Sequence, residues 1–187
     1  DFLQATIDLE NVIPVSCGID ASKYTADLTP RDANRLVFVG RLTTEKQIDV
    51  VLRALAKLDP ALDVTFDIVG KGDQRRNLEQ LAHQLGLDAR VRFHGHTTDA
   101  ELRAFLTNAS TFVIASVAEL QSIATMEAMA SGLPIVAANA VALPHLVSDG
   151  ENGYLFEPGN DDQLTDRLRD VIDASPERYL EMQRASL

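Results

Sequence analysis

Glu119 and Glu127 stand eight positions apart, with Leu120 to Met126 between them. Glu127 is the only formal charge between Leu120 and Ser148. Ser122 to Ala130 read as a short helix apolar on every side, and such a helix is usually buried. A carboxylate in it is costly unless it is paired or accepts hydrogen bonds. Glu119 follows the apolar run Thr111 to Ala115, so strand, glutamate, helix start and second glutamate come in that order. Carboxylates placed this way can accept from pairs of hydroxyls, as on a ribose or a hexose. The free N–H groups of a helix start favour an anion such as phosphate. Together they suit a sugar joined to a diphosphate. A structural reading stands beside this one: Glu119 complements the helix dipole, and Glu127 is salt-bridged to a neighbouring element.

A second cluster is Gly40-Arg41-Leu42-Thr43-Thr44-Glu45-Lys46. Arg41 can hold a phosphate by two parallel hydrogen bonds, and Lys46 acts as a point charge. Thr43 or Thr44 serves as N-cap of the helix that follows. Two cations at one strand end matter in a chain of net charge −11; the alternative is a solvated Lys46–Glu45 surface pair. In Val69-Gly70-Lys71-Gly72-Asp73 the two glycines make room for a ligand or serve a tight turn. The dinucleotide fingerprint is matched only in part, because Arg75 replaces its third glycine and no acid ends the next strand. His94 and His96 share one strand face, but no third ligand lies nearby, so they read as a rim pair rather than a metal site. Asp149 to Gly153 read as a turn-rich hairpin connection with a structural role.

These loops need a frame. Strands are expected at Arg35–Gly40, Val64–Val69, Val91–Gly95, Thr111–Ala115, Leu133–Ala137 and Gly153–Phe156, with a short one at Asn11–Ser16. Helices are expected at Thr44–Leu58, Asp73–Leu85, Thr98–Asn108, Ser122–Ala130, Asp161–Ala174 and Pro176–Ala185. Val50, Val51, Ala54, Leu55 and Leu58 form one apolar stripe. Alternating strands and helices predict an α/β fold, a Rossmann-like parallel sheet with helices on both faces. Ligands in such sheets bind at the carboxyl ends of the strands. Residues 1–34 read as a linker region with the first short strand, Asp20 to Asn34 being irregular, and 35–187 as the ligand-binding domain.

The length of 187 residues, 45% hydrophobic and 24% charged, suits one globular core. The strongly acidic balance argues against nucleic acid as a partner and against gripping an anionic membrane. Cys17 is the only cysteine, which excludes an intrachain disulfide and a cysteine-rich metal site. No apolar run approaches the length of a membrane span. Without an initiator Met or a signal peptide, and ending within a helical pattern, the sequence reads as an excised piece of a longer protein.

In order and spacing, Gly40–Lys46, Val69–Gly72, Val91–Gly95, the Glu119-x7-Glu127 run with Ala128–Ala137, and Asp149–Phe156 resemble the nucleotide-sugar-binding half of retaining GT-B glycosyltransferases. The resemblance spans about Asn11 to the end. It implies that Arg41 and Lys46, beside Gly40, neutralise the donor diphosphate, that Glu127 holds the ribose and that Glu119 holds the transferred sugar. Backbone N–H groups around Gln121, Ser122, Ile123 and Ala124 would meet sugar and phosphate. Val69, Gly70, Lys71 and Gly72, with Phe93 and His94, would line the base pocket. Glu119, Arg41 and Lys46 would then be the catalytic groups, with no metal and no cofactor beyond a GDP- or UDP-hexose donor. The resemblance further implies a missing N-terminal acceptor domain, and a cytoplasmic enzyme that in its lipid-glycosylating branch works at the inner membrane face. Two positions depart from the family: Gln47 where Gly is usual, and Gln121-Ser122 where Phe-Gly is common. Gln121 with Ala142 to Leu146 looks most like the branch that glycosylates lipids, mannosyltransferases included. A nucleotide-sugar epimerase and a non-catalytic nucleotide-sugar-binding module are the competing readings.

Overall fold

Runs such as Leu36-Val37-Phe38 and Phe112-Val113-Ile114 are apolar on consecutive residues, which suits strands covered on both faces. In the computed structural model, which describes residues 18–26, 28 and 34–187, these runs form a six-stranded sheet. Its strands are β1 (Arg35–Val39), β2 (Thr65–Val69), β3 (Val91–Gly95), β4 (Thr111–Ile114), β5 (Ile135–Ala138) and β6 (Gly153–Phe156). They lie in the order β3-β2-β1-β4-β5-β6, and every pairing is parallel. Val37 sits between Asp67 and Phe112 in register. The helices are α1 (Ile48–Lys57), α2 (Arg75–Gln84), α3 (Asp99–Asn108), α4 (Ile123–Ala130), α5 (Asp161–Ile172) and α6 (Pro176–Ser186), and they cover both sides of the sheet.

Every residue of β4 and β5 is buried, and so is the expected stripe Val50, Val51, Ala54, Leu55 and Leu58. Local chemistry sets the helix ends. Thr98 and Glu101 form a capping box at α3. Ser175 caps α6, with Pro176 at its first position. Gly132, at φ 70°, ends α4, its N–H bonding the Met129 carbonyl at 2.8 Å.

The structure corrects three expectations and leaves one outside its reach. The helix expected at Thr44–Leu58 is two pieces: Thr44–Lys46 make a 3₁₀ turn, and Gln47, left-handed at φ 47° and ψ 40°, breaks the run before α1. Asp149 to Gly153 are not a hairpin, because β5 and β6 run parallel; Asn152 folds the turn by accepting from the Ser148 N–H and donating to the Leu146 carbonyl. The apolar α4 buries only Thr125 and Ala128, and Ile123 is 48% exposed, because its other faces border open cavities. The strand expected at Asn11–Ser16 lies outside the described residues. Within the expected irregular segment Asp20–Asn34, Ala21–Lys23 form a 3₁₀ turn capped by Asp20.

Candidate functional site

The strand order reverses direction between β1 and β4, and a doubly wound sheet opens its ligand crevice at such a point. The segment leaving β1 carries Arg41 and Lys46, and the segment leaving β4 carries Glu119. Lys46 Nζ donates to Glu119 Oε1 across this crevice, and the two side chains are only 12% and 13% exposed. Main chain draws the same segments together: the Val117 N–H bonds the Glu45 carbonyl at 3.0 Å. The Ala142 N–H bonds the Glu119 carbonyl at 3.2 Å, adding the loop after β5.

The alternative Lys46–Glu45 surface pair does not form. Glu45 instead accepts from the Thr43 hydroxyl at 2.7 Å and lies 3.9 Å from Arg41. Thr43, with backbone and then Arg41 and Lys46 assisting, holds the Glu45 carboxyl below its usual range. Thr43 stands at the N-cap position, but its hydroxyl is spent on Glu45 and caps no N–H. Arg41 is 78% exposed, so its guanidinium is open to an incoming anion.

The glycine loop is shaped by its own main chain. A Cβ on Gly70 would meet the Gly40 carbonyl oxygen at 1.8 Å, and one on Gly72 the Leu42 carbonyl oxygen at 2.0 Å. The room these glycines leave is therefore filled by the Arg41 loop. The bonds Gly40 N–H to Val69 O, Leu42 N–H to Lys71 O and Gly70 N–H to Gly95 O extend the sheet past its strand ends. The segments expected to hold the phosphates and the base thus form one surface. Phe93 offers its carbonyl to Arg75 at 3.2 Å.

The other strand-end helix, α4, begins at Ser122, which is left-handed at φ 49° and ψ 66°. Its side chain caps no N–H group; its hydroxyl shares a 2.7 Å hydrogen bond with Thr125 Oγ1. The helix start at Ile123 and Ala124 therefore has no side-chain cap, which suits an anion or a sugar oxygen. Gln121, just before it, is half-buried. Glu127 lies on the side of α4 and accepts from the Tyr24 hydroxyl at 2.5 Å. It is half-buried, and its partner is a neutral phenol rather than the cation that the structural reading supplied.

His94 is turned into the sheet–helix contact. Its Nε2 lies 2.6 Å from Asp67 Oδ1, and its ring packs on Phe105 at a centroid distance of 4.4 Å. Asp67, 5% exposed within β2, also lies 3.7 Å from Arg35. Among the described residues, no group of three or more His, Cys, Asp or Glu could hold a metal ion. Sequence reasoning missed two participants. Asp67 had a signal, as the one charge inside an apolar strand. Tyr24 is the sole aromatic of its segment, a weak sign with no partner visible.

Comparison with known proteins gives the family of the chain. The family model described as glycosyl transferases group 1 matches residues 23–186. An uncharacterised glycosyltransferase of Methanocaldococcus jannaschii is 35% identical over 133 residues, covering 71% of this chain and 34% of the relative. An MMP alpha-(1->4)-mannosyltransferase of Mycolicibacterium hassiacum is 34% identical over 172 residues, covering 89% of this chain and 40% of the relative. Among solved structures, Anabaena HepE in complex with UDP superimposes with TM-score 0.80 at 27% identity, over 90% of this chain and 50% of that one. The chain thus spans between a third and half of the length of these relatives. With most of its length matched by that family model, the chain belongs to the glycosyl transferases group 1 family.

Proposed function

We propose that this chain is the donor-binding half of a retaining hexosyltransferase that takes a nucleoside-diphosphate hexose. The observation that carries the reading is the Lys46–Glu119 pair, nearly buried at the sheet's reversal point. In this reading Arg41 and Lys46 meet the diphosphate, Lys46 with three donors that serve phosphate and Glu119 together. Glu119 accepts from hexose hydroxyls, and Glu127 accepts from the ribose. The uncapped start of α4 at Ile123 and Ala124 faces the sugar–phosphate junction. The base rests on the joined surface of residues 69–72 and 93–95. A further domain of the full-length protein supplies the acceptor, a glycolipid in the branch that residues 121 and 142–146 resemble, at the cytoplasmic face of the membrane. The UDP complex of HepE supports a nucleotide donor, and the mannosyltransferase relative supports a hexose. Arg41 and Lys46 stand on the segment leaving β1 and Glu119 on the segment leaving β4, where Lys46 and Glu119 meet, and this supports a transferase half over a degenerate binding module.

A thermal-shift panel of UDP, GDP, ADP and their hexose conjugates tests this. Binding raises the midpoint in proportion to RT ln(1 + [L]/Kd). One nucleoside diphosphate and its sugar conjugate should stabilise the chain at sub-millimolar concentration, without added metal. If no nucleotide shifts the midpoint at 10 Kd of a typical millimolar binder, about 1.4 kcal/mol of stabilisation, the donor reading fails.

A further inference from the structure

Tyr24 stands where two cavities meet. One, of about 270 Å³, is lined by Glu127 and Ile123 of α4, by Asp99 and Arg103 of α3, and by Lys23. The other, of about 380 Å³, is lined by Met126, Met129, Ala130 and Leu187. Tyr24 borders both, as does Ile19, and so stands between a more polar cavity and an apolar cleft. The ring also packs against the core. A short turn sets it in place: Asp20 accepts from the Ser22 N–H and hydroxyl, and the Tyr24 N–H closes on the Ala21 carbonyl at 3.1 Å.

The last torsion of a glutamate side chain is soft, so a free carboxylate samples many planes. The Tyr24 hydroxyl removes that freedom from Glu127 by binding Oε1 at 2.5 Å. We propose that Tyr24 is a positioning residue for ribose recognition: it pins Oε1 of Glu127 so that Oε2 is the oxygen that accepts from a nucleotide ribose hydroxyl entering the polar cavity. This rests on the reading of Glu127 as ribose acceptor. A hydroxyl that merely kept the place of the ribose would have to leave on binding. The Tyr24 ring cannot leave without giving up its packing against the core. The phenol stays protonated in this role, since burial first and the Glu127 carboxylate second push its pKa up to about 12. Ribose recognition is thereby set from a segment outside the sheet.

The test compares the wild-type chain with Tyr24→Phe, titrated calorimetrically with UDP, GDP and ADP and with the 2′-deoxy and 3′-deoxy form of each. The wild type should bind its preferred ribonucleotide roughly tenfold more tightly than the weaker of its deoxy forms, the size of one charged hydrogen bond. Tyr24→Phe should bring that ratio to within about twofold by weakening the ribonucleotide alone. An unchanged ratio, a tighter ribonucleotide or an equal loss across all ligands would overturn the proposal, the last two marking a competitor and a purely structural residue. A wild type indifferent to both ribose hydroxyls, or to every nucleotide, would remove the ribose reading of Glu127 and this proposal with it. Discrimination that survives in Tyr24→Phe would remove this proposal alone.

Discussion

Lys46 and Glu119 neutralise each other, and this changes what substitutions at either should do. The sequence alone leads one to expect that Glu119→Gln spares a nucleoside diphosphate and weakens only the nucleotide sugar. With the carboxylate bound to Lys46, its removal releases a full positive charge toward the phosphates. Glu119→Gln should therefore tighten the nucleoside diphosphate by roughly 1 kcal/mol, about fivefold, while the nucleotide sugar loses its advantage. Calorimetric titration decides this, and equal weakening of both ligands would refute the division of roles. Lys46→Ala leaves a nearly buried carboxylate without its cation and should cost about 1–3 kcal/mol in urea unfolding. Arg41→Ala, at an exposed position, should stay within about 0.5 kcal/mol, yet both variants should weaken diphosphate binding. Tyr24 offers a pH test. Its pKa is raised in the folded chain to about 12 from an ordinary value of 10, so its contribution to stability is complete below pH 10 and is lost as pH rises toward 12. Tyr24 should ionise late in an ultraviolet titration of folded protein. That late step should be missing from Tyr24→Phe.

At the scale of elements, the two departures from the family's glycines share one cause. Gln47 and Ser122 both sit in the left-handed region, where a side chain costs about 1–2 kcal/mol and glycine costs little. Their surroundings differ. The Gln47 side-chain oxygen is buried with no hydrogen-bond partner, so Gln47→Gly relieves strain and an unsatisfied group together. It should raise stability by about 1 kcal/mol in denaturant unfolding. The Ser122 hydroxyl bonds Thr125, itself fully buried. Ser122→Gly trades strain relief against that bond and should change stability by less than about 0.5 kcal/mol. If both variants gain equally, the hydrogen bond contributes nothing. Gln47 also explains why the helix expected from Thr44 is interrupted: the apolar stripe begins only at Val50, past the break, so periodicity does not reveal it.

At the scale of the whole molecule, the C-terminal helix closes the sheet. Tyr179 donates to the Ser110 carbonyl at 2.7 Å, the Ser186 hydroxyl to the Leu133 carbonyl at 2.7 Å, and Met182 is fully buried. Removing residues 175–187 exposes this surface and should lower the thermal midpoint by roughly 10 °C, taking about 3–4 kcal/mol at some 3 °C per kcal/mol; an unchanged midpoint would show α6 to be a passive appendage. What the sequence by itself determined is local. Apolar runs made strands, stripes made helices, Pro176 and the Thr98–Glu101 box started two of the helices and Gly132 ended another, because these signals act within a turn or two of chain. It also determined which residue types stand at the strand ends. Only the tertiary structure decided which of those ends meet. The order β3-β2-β1-β4-β5-β6 sets the exits of β1 and β4 side by side, joining Lys46 to Glu119 across 73 positions. It likewise gave Glu127 the hydroxyl of Tyr24, 103 positions away, and turned His94 toward Asp67. A buried charge takes whichever partner the packed chain brings within reach, and spacing along the sequence carries no record of that distance.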